Sequence, residues 1–231
     1  MGRSKADPAL LAERRRLQIS NAAIKCFSKN GYHPTTIRDV AEEAGVSIGM
    51  IYQYFSDKEE LLYYSLSAVL NGYRAEIPAA TKGIVDPLSR FCQAVHAYGR
   101  VQARSVDATT LTYRETKSLT RAHRDTLKQL ELDTNELIAS IVRECVDLGL
   151  FSDIDVETFT YQIVLHSHAW SLKSWNFAGR MTIEEYVDRG LRLLLKAVLT
   201  GRGERHFQEI RGDCLLSERT SLLETKAAVA R

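Results

Sequence analysis

Little in this sequence breaks a helix. Only four prolines occur in 231 residues, Pro8, Pro34, Pro78 and Pro87, three of them where a helix should start or a turn is needed. Alternating strand patterns are missing throughout, so the chain reads as all-α. Cysteine is equally scarce. Cys26, Cys92, Cys145 and Cys214 are scattered with neither metal-ligand nor redox spacing, which predicts buried, reduced thiols in a cytoplasmic protein and no metal site. No apolar run approaches the roughly 20 residues needed to span a bilayer, and the polar, basic N-terminus lacks a signal-peptide core, so no membrane partner is expected. Charge is nearly balanced, at a formal net +2, which removes any global electrostatic case for nucleic acid. The signatures of an enzyme are missing too: there is no phosphate-binding glycine loop, zinc-protease histidine pair, nucleophile elbow or paired cysteines. His166 and His168 lie two apart and point to different sides of a helix. No catalytic residue and no cofactor is expected.

What is present is a chain that is 45% hydrophobic, enough for one small domain and one of ordinary size. Its charge is uneven: residues 1–40 hold Arg3, Lys5, Arg14, Arg15, Arg16, Lys25, Lys29 and Arg38 against Asp7, Glu13 and Asp39. A local basic excess of this size suits a small DNA-binding head. Asp7 before Pro8 predicts a first helix ending at Asn30-Gly31. Thr36 caps a short second helix to about Ala44, Gly45 makes a turn, and Ser47 caps a third to about Tyr54. Asp57 and Glu60 open a fourth, and Pro78 with Gly83 should break the chain. Further helices are expected from Asp86-Pro87, over about 107–118, over about 121–148, from Asp155 to about Phe177, and from the Thr182/Glu185 capping box to about Leu199. That gives about nine in all. Residues 1–56 form a DNA-binding domain, 57–200 a ligand-binding and dimerisation domain, and 201–231 a polar tail that is loosely attached or disordered.

Two short helices joined through a glycine can hold the second one clear of the body, where it fits a major groove about 12 Å wide. Ile37, Val40, Ala41, Val46, Ile51 and Phe55 would form the small core. Thr36, Ser47 and Tyr52 carry hydroxyls suited to phosphate, Gly49 allows close approach of backbone, and Lys58 opens a helix whose free N–H groups favour an anion. Base readout falls to Gln53, which can pair bidentately with adenine, and to Met50 and Tyr54 through thymine methyls.

Residues 12–62 resemble the N-terminal signature of the TetR/AcrR regulators: Thr35-Thr36-Ile37-Arg38-Asp39-Val40-Ala41, Gly45-Val46-Ser47, Ile51-Tyr52-Gln53-Tyr54-Phe55 and Asp57-Lys58-Glu59-Glu60-Leu61-Leu62 stand in register. The resemblance implies DNA contacts by Thr36, Ser47, Gly49, Tyr52 and Lys58. Met50 stands where many members have a small polar residue. The resemblance further implies a homodimer on a pseudo-palindromic double-stranded operator, its last two helices forming a four-helix bundle with the mate, and release by a small-molecule effector. Candidate effector contacts are Phe91, Val95, Tyr98, Tyr113, Arg114, Lys117, Leu137, Ile141, His166, Trp170 and Trp175. The stretch Tyr113-Arg114-Glu115-Thr116-Lys117-Ser118-Leu119, with Trp170 and Trp175, is similar to acyl-CoA-responsive members; Arg114, Lys117, Arg121 and Arg124 could meet phosphates. Two competing classes are an architectural DNA-binding dimer without a ligand and an all-α enzyme.

Overall fold

Polar caps set the rhythm of the fold. The computed structural model describes residues 8–177 and 179–215. Within them run α1 (Pro8–Asn30), α2 (Ile37–Ala44), α3 (Ile48–Tyr54), α4 (Lys58–Thr81), α5 (Pro87–Arg104), α6 (Val106–Glu115), a 3₁₀ turn (Thr116–Ser118), α7 (Arg121–Asp147), α8 (Val156–Leu172), α9 (Ser174–Phe177), α10 (Ile183–Val198) and α11 (Gly201–Cys214). Asp86, Asp155 and Thr182 each accept a hydrogen bond from the backbone N–H three residues on, satisfying donors that the first helical turn leaves over. The expected cap Asp7 lies outside the described residues.

Four expectations need correction. Pro78 sits inside α4, which runs on to Thr81: a proline this near the end forfeits one carbonyl partner but cannot stop the few residues that remain. The helix begun at Asp155 stops at Leu172, with Lys173 as its C-cap, and Ser174–Phe177 is a separate turn. Most consequentially, 201–214 is no loose tail but α11, capped by Thr200, whose Oγ1 accepts from Gly203 N at 3.0 Å. Its few apolar residues share one face, so Phe207, Cys214 and Leu215 are buried, and α11 packs on α5. Residues 216–231 of the expected tail lie outside the described residues. The cysteine expectation falls with it: Cys92 and Cys214 form a disulfide, and only Cys26 and Cys145 are free buried thiols.

The chain divides into two compact units, Met1–Val69 with Asp107–Gln129, and Leu70–Val106 with Leu130–Arg231. The first is larger than the segment 1–56, because Asp107–Gln129 is clasped to it. Glu59 accepts from Thr120 N at 2.7 Å and from His123 Nδ1 at 2.8 Å, and Tyr63 stacks on His123 at 4.0 Å. In the second unit α5 is the central helix, buried from Leu88 to Gln102 along most of its length and packed by α8, α10 and α11. Its polar residues Ser89, His96 and Gln102 are buried along with the apolar ones, as expected of a helix covered by neighbours on most sides.

Candidate nucleic-acid interface

The geometry of the α2–α3 unit is fixed by short-range chemistry. Thr36 and Asp39 form a reciprocal capping box, Thr36 N donating to Asp39 Oδ2 at 2.7 Å and Asp39 N to Thr36 Oγ1 at 3.2 Å. These bonds hold the Asp39 carboxyl below its ordinary pKa. Gly45 ends α2 at φ 65°, ψ 37°, the left-handed conformation that costs a β-carbon dearly, and its N–H returns to the carbonyls of Ala41 and Glu42. Two residues later Ser47 Oγ accepts from Met50 N at 3.1 Å and starts α3. The turn between the helices is therefore short and bonded at both ends.

Burial then sorts α3 into two sides. Ile51 and Phe55 point into the core with Val40, Ala41, Ile19 and Phe27. Ser47, Gly49, Tyr52 and Gln53 are exposed, Tyr52 at 54% for so large a ring, while Met50 and Tyr54 are half-buried. The Thr36 and Ser47 hydroxyl oxygens accept from backbone, which leaves each hydroxyl proton free to donate outward. Gly49 has only Ser47 Oγ near its missing β-carbon, at 3.9 Å, so nothing on its own chain obstructs an approaching backbone.

The Lys58 ammonium is engaged by its own chain. It donates to the carbonyls of Tyr32, His33 and Thr35 at 3.0, 3.1 and 3.0 Å and lies 4.5 Å from the centre of the Tyr32 ring. All three protons are thereby directed at the α1–α2 loop, which sequence spacing of about 25 residues could not reveal. Of the basic cluster, Arg16 lies over the rings of Phe55 and Tyr64 at 6.0 and 5.8 Å, and Arg15 donates to Gln18 Oε1 at 2.6 Å, leaving Arg14 exposed. Arg3 and Lys5 lie outside the described residues. The clasp of Glu59 to Thr120 and His123 was missed by sequence reasoning, and nothing in local spacing announces it.

The eleven effector candidates are divided between the two units. Tyr113, Arg114 and Lys117 are exposed and belong to the first unit. Arg124 Nη1 donates to the carbonyls of Lys117 and Leu119, and Arg121 pairs with Asp125. In the second unit, Phe91 meets Phe151 edge-on at 5.2 Å, Val95 is buried, and Tyr98 stacks on Tyr73 at 4.0 Å. The Tyr98 hydroxyl lies 2.9 Å from His168 Nε2, and burial pushes the His168 pKa down to about 4, so the ring in this pair is neutral. His166 stacks on Tyr186 at 4.4 Å, and Trp170 on Phe177 at 5.8 Å. Trp175 stands 77% exposed. Leu137 and Ile141 alone of the set line an open cleft of about 360 Å³, together with the end of α4.

A short exposed helix delivered by a capped glycine turn on a three-helix core, followed by a larger helical unit, defines a helix-turn-helix regulator. The chain belongs to the TetR family. Residues 19–63 match the family described as bacterial regulatory proteins, tetR family, and residues 85–198 match the tetracyclin repressor-like C-terminal domain. It is 45% identical, over 88% of its own length and 89% of the relative's, to the HTH-type transcriptional regulator HbdR of Aromatoleum sp. (strain CIB). It is 31% identical, over 83% and 93%, to the HTH-type transcriptional repressor KstR2 of Rhodococcus jostii (strain RHA1). Among solved structures, the TetR family transcriptional regulator PfmR from Thermus thermophilus superposes with a TM-score of 0.70 at 26% identity, covering 77% of this chain and 97% of that one. These relatives are regulators, not enzymes. No helix among the described residues is long and apolar enough to cross a membrane.

Proposed function

We propose that this chain is a cytoplasmic, effector-responsive repressor that binds a pseudo-palindromic DNA operator as a homodimer. The observation that carries the reading is the division of α3: Ile51 and Phe55 anchor it, while Ser47, Gly49, Tyr52 and Gln53 face outward on a rigid, capped helix. Thr36, Ser47 and Tyr52 offer hydroxyls to phosphate, Gln53 reads adenine, and Met50 and Tyr54 meet thymine methyls beside the close approach at Gly49. Lys58 contributes through the start of α4, where backbone N–H groups and the helix dipole favour phosphate.

Dimerisation is supported by apolar surface left over on the second unit. Tyr161, Leu165 and Leu172 repeat on one face of α8, and Leu193 of α10 is 72% exposed. Ser167 and Ser171 of α8 are buried within the protomer. Two copies related by a two-fold axis would cover these leucines and set the spacing of the two recognition helices. The Rhodococcus relative's name supports the repressor sense. A small hydrophobic effector is the releasing ligand; an acyl-CoA is the alternative, for whose phosphates the exposed Arg114 and Lys117 of the Tyr113–Leu119 stretch are the available cations.

Selection of bound duplex from a random pool, followed by gel shift, tests the whole reading. The expected site has two half-sites spaced by about one helical turn of DNA or a multiple of it. Tyr52→Ala should weaken operator binding at least about tenfold, the loss of one good phosphate or base-edge contact, with an unchanged melting curve and sedimentation as a dimer. A single asymmetric half-site, or full retention by Tyr52→Ala, would contradict it.

A further inference from the structure

The cleft reached by Leu137 and Ile141 is built differently from the core around it. Its apolar wall consists of Ile77 and Pro78 of α4, Ile84 of the α4–α5 loop, and Leu137 and Ile141 of α7. Two hydroxyls also line it, but both have spent their protons. Thr81 Oγ1 donates to Ile77 O at 3.0 Å, and Ser140 Oγ to Leu137 O at 3.2 Å. The remaining side-chain donor in the lining is the Arg90 guanidinium.

Arg90 is held by Glu144, its Nη2 on Glu144 Oε2, while its buried Nε finds no partner. The two sides of this pair are unequal. The Arg90 side chain is 25% exposed and the Glu144 side chain 45%, so Glu144 regains water more readily on leaving than Arg90 does. An incoming carboxylate would take a guanidinium with a donor in hand and could engage it through two parallel N–H bonds. A cation competing for Glu144 would instead strand the more buried Arg90, the costlier outcome.

We propose that this cleft is the effector site and that its ligand is a compact apolar acid, whose carboxylate takes Arg90 from Glu144 while its ring or branched chain lies against Ile77, Ile84 and Ile141. The inference rests on the effector-responsive reading above and names the ligand class of that function. About 360 Å³ lies at the small end of ligand pockets, which run from about 300 to 1,000 Å³; it holds a single ring or short chain rather than a whole acyl-CoA. Regulation follows from where the wall comes from. The cleft is lined by the last turns of α4 and by the second half of α7, and both helices begin in the first unit, at Lys58 and Arg121. A ligand bound to one arrangement of these helices shifts the population toward it.

Calorimetric titration of the full chain with cyclohexanecarboxylate and octanoate, against their primary amides and against octanoyl-CoA, tests the inference. Both acids should bind and both amides should not. Arg90→Gln should weaken the acids about tenfold or more, the loss of a charge-assisted pair. Glu144→Gln should tighten them several-fold by removing the competitor, an effect that a merely structural role for the ion pair would not produce. If Arg90→Gln does not fold, the acid-against-amide contrast and Glu144→Gln still decide. Equal binding of acid and amide, an unchanged or weaker Glu144→Gln, or binding of octanoyl-CoA alone would each overturn the acid assignment. Operator gel shift of the unmodified chain keeps the two readings apart: DNA bound without acid binding sinks this cleft and spares the regulator, and acid bound without DNA does the reverse.

Discussion

The two units of this protein place their polar groups in opposite ways. In the first, the informative polar side chains sit at the surface, and each does double duty. Thr36 and Ser47 cap helices with their oxygens and keep their protons for a partner, while Tyr52 and Gln53 touch little of their own chain. In the second, polar groups are taken inside and paired with one another. Tyr73 Oη donates to Gln102 Oε1, Gln102 Nε2 to Ser171 Oγ, and Tyr98 meets His168. His96 Nε2 lies 2.8 Å from the carbonyl of Cys214 and 3.3 Å from Asp188. A surface network can be emptied at little cost to folding; a buried one cannot, because each deserted group loses its partner without regaining water. Substitutions at the recognition helix should thus cost affinity and spare stability, and substitutions in the second unit should do the reverse.

The severest test of the second half of that contrast is the cross-link. Cys92 and Cys214 are 122 residues apart, a long closed loop, so the chain-entropy argument places its contribution near the top of the roughly 2–4 kcal/mol typical of disulfides. Cys92→Ala with Cys214→Ala, or simple reduction, should lower the denaturation midpoint accordingly and leave operator affinity unchanged. Equal midpoints with and without reductant would mean that Phe207 and Leu215 hold α11 by packing alone.

Acid supplies a second test of similar size. Burial lowers the His168 pKa from 6.5 to about 4, so between those values the unfolded chain binds the proton and the folded chain does not. Stability is therefore full above pH 6.5 and falls as pH drops toward 4, by about 3 kcal/mol once both states are protonated. His96 and His166, also lowered by burial, act in the same direction. His168→Gln should flatten the urea-midpoint profile between pH 6.5 and 4; an identical slope in the variant would assign the acid lability to the other histidines.

Much of this was legible in the sequence, for a local reason. Thr36, Ser47, Asp86, Asp155 and Thr182 each stand one residue before a helix, and a cap is chemistry between neighbours that spacing displays. The exposed side of α3 was legible for the same reason, since the apolar positions 51 and 55 fix the opposite face. What escaped involves partners distant in the chain. Phe207, Ile210 and Cys214 are too few to announce a buried helix until α5 is there to receive them. The effector residues are the hardest to read from sequence. Periodicity marks which side of a helix is apolar, not whether a neighbour fills the space against it: Phe91 and Val95 are filled, while Leu137 and Ile141 face a cleft.

Lys58 gives the finest test, because it is where the two placements of polar groups meet in one side chain. Its ammonium holds the carbonyls of Tyr32, His33 and Thr35, yet it opens the helix whose start we propose meets phosphate. Lys58→Met keeps the aliphatic stem and removes the charge. Loss of hydrogen bonds from a charged donor should cost about 2 kcal/mol of stability in the first unit, and operator affinity should fall because the loop that carries Thr36 loosens. The two roles separate in salt. A lysine that neutralises a phosphate releases a counterion, so its removal should reduce the slope of log affinity against log salt by about 1. A lysine that only pins the loop leaves that slope untouched while affinity drops at every salt concentration. The geometry predicts the parallel shift, and a shallower slope in Lys58→Met would show that the ammonium leaves its three carbonyls for DNA.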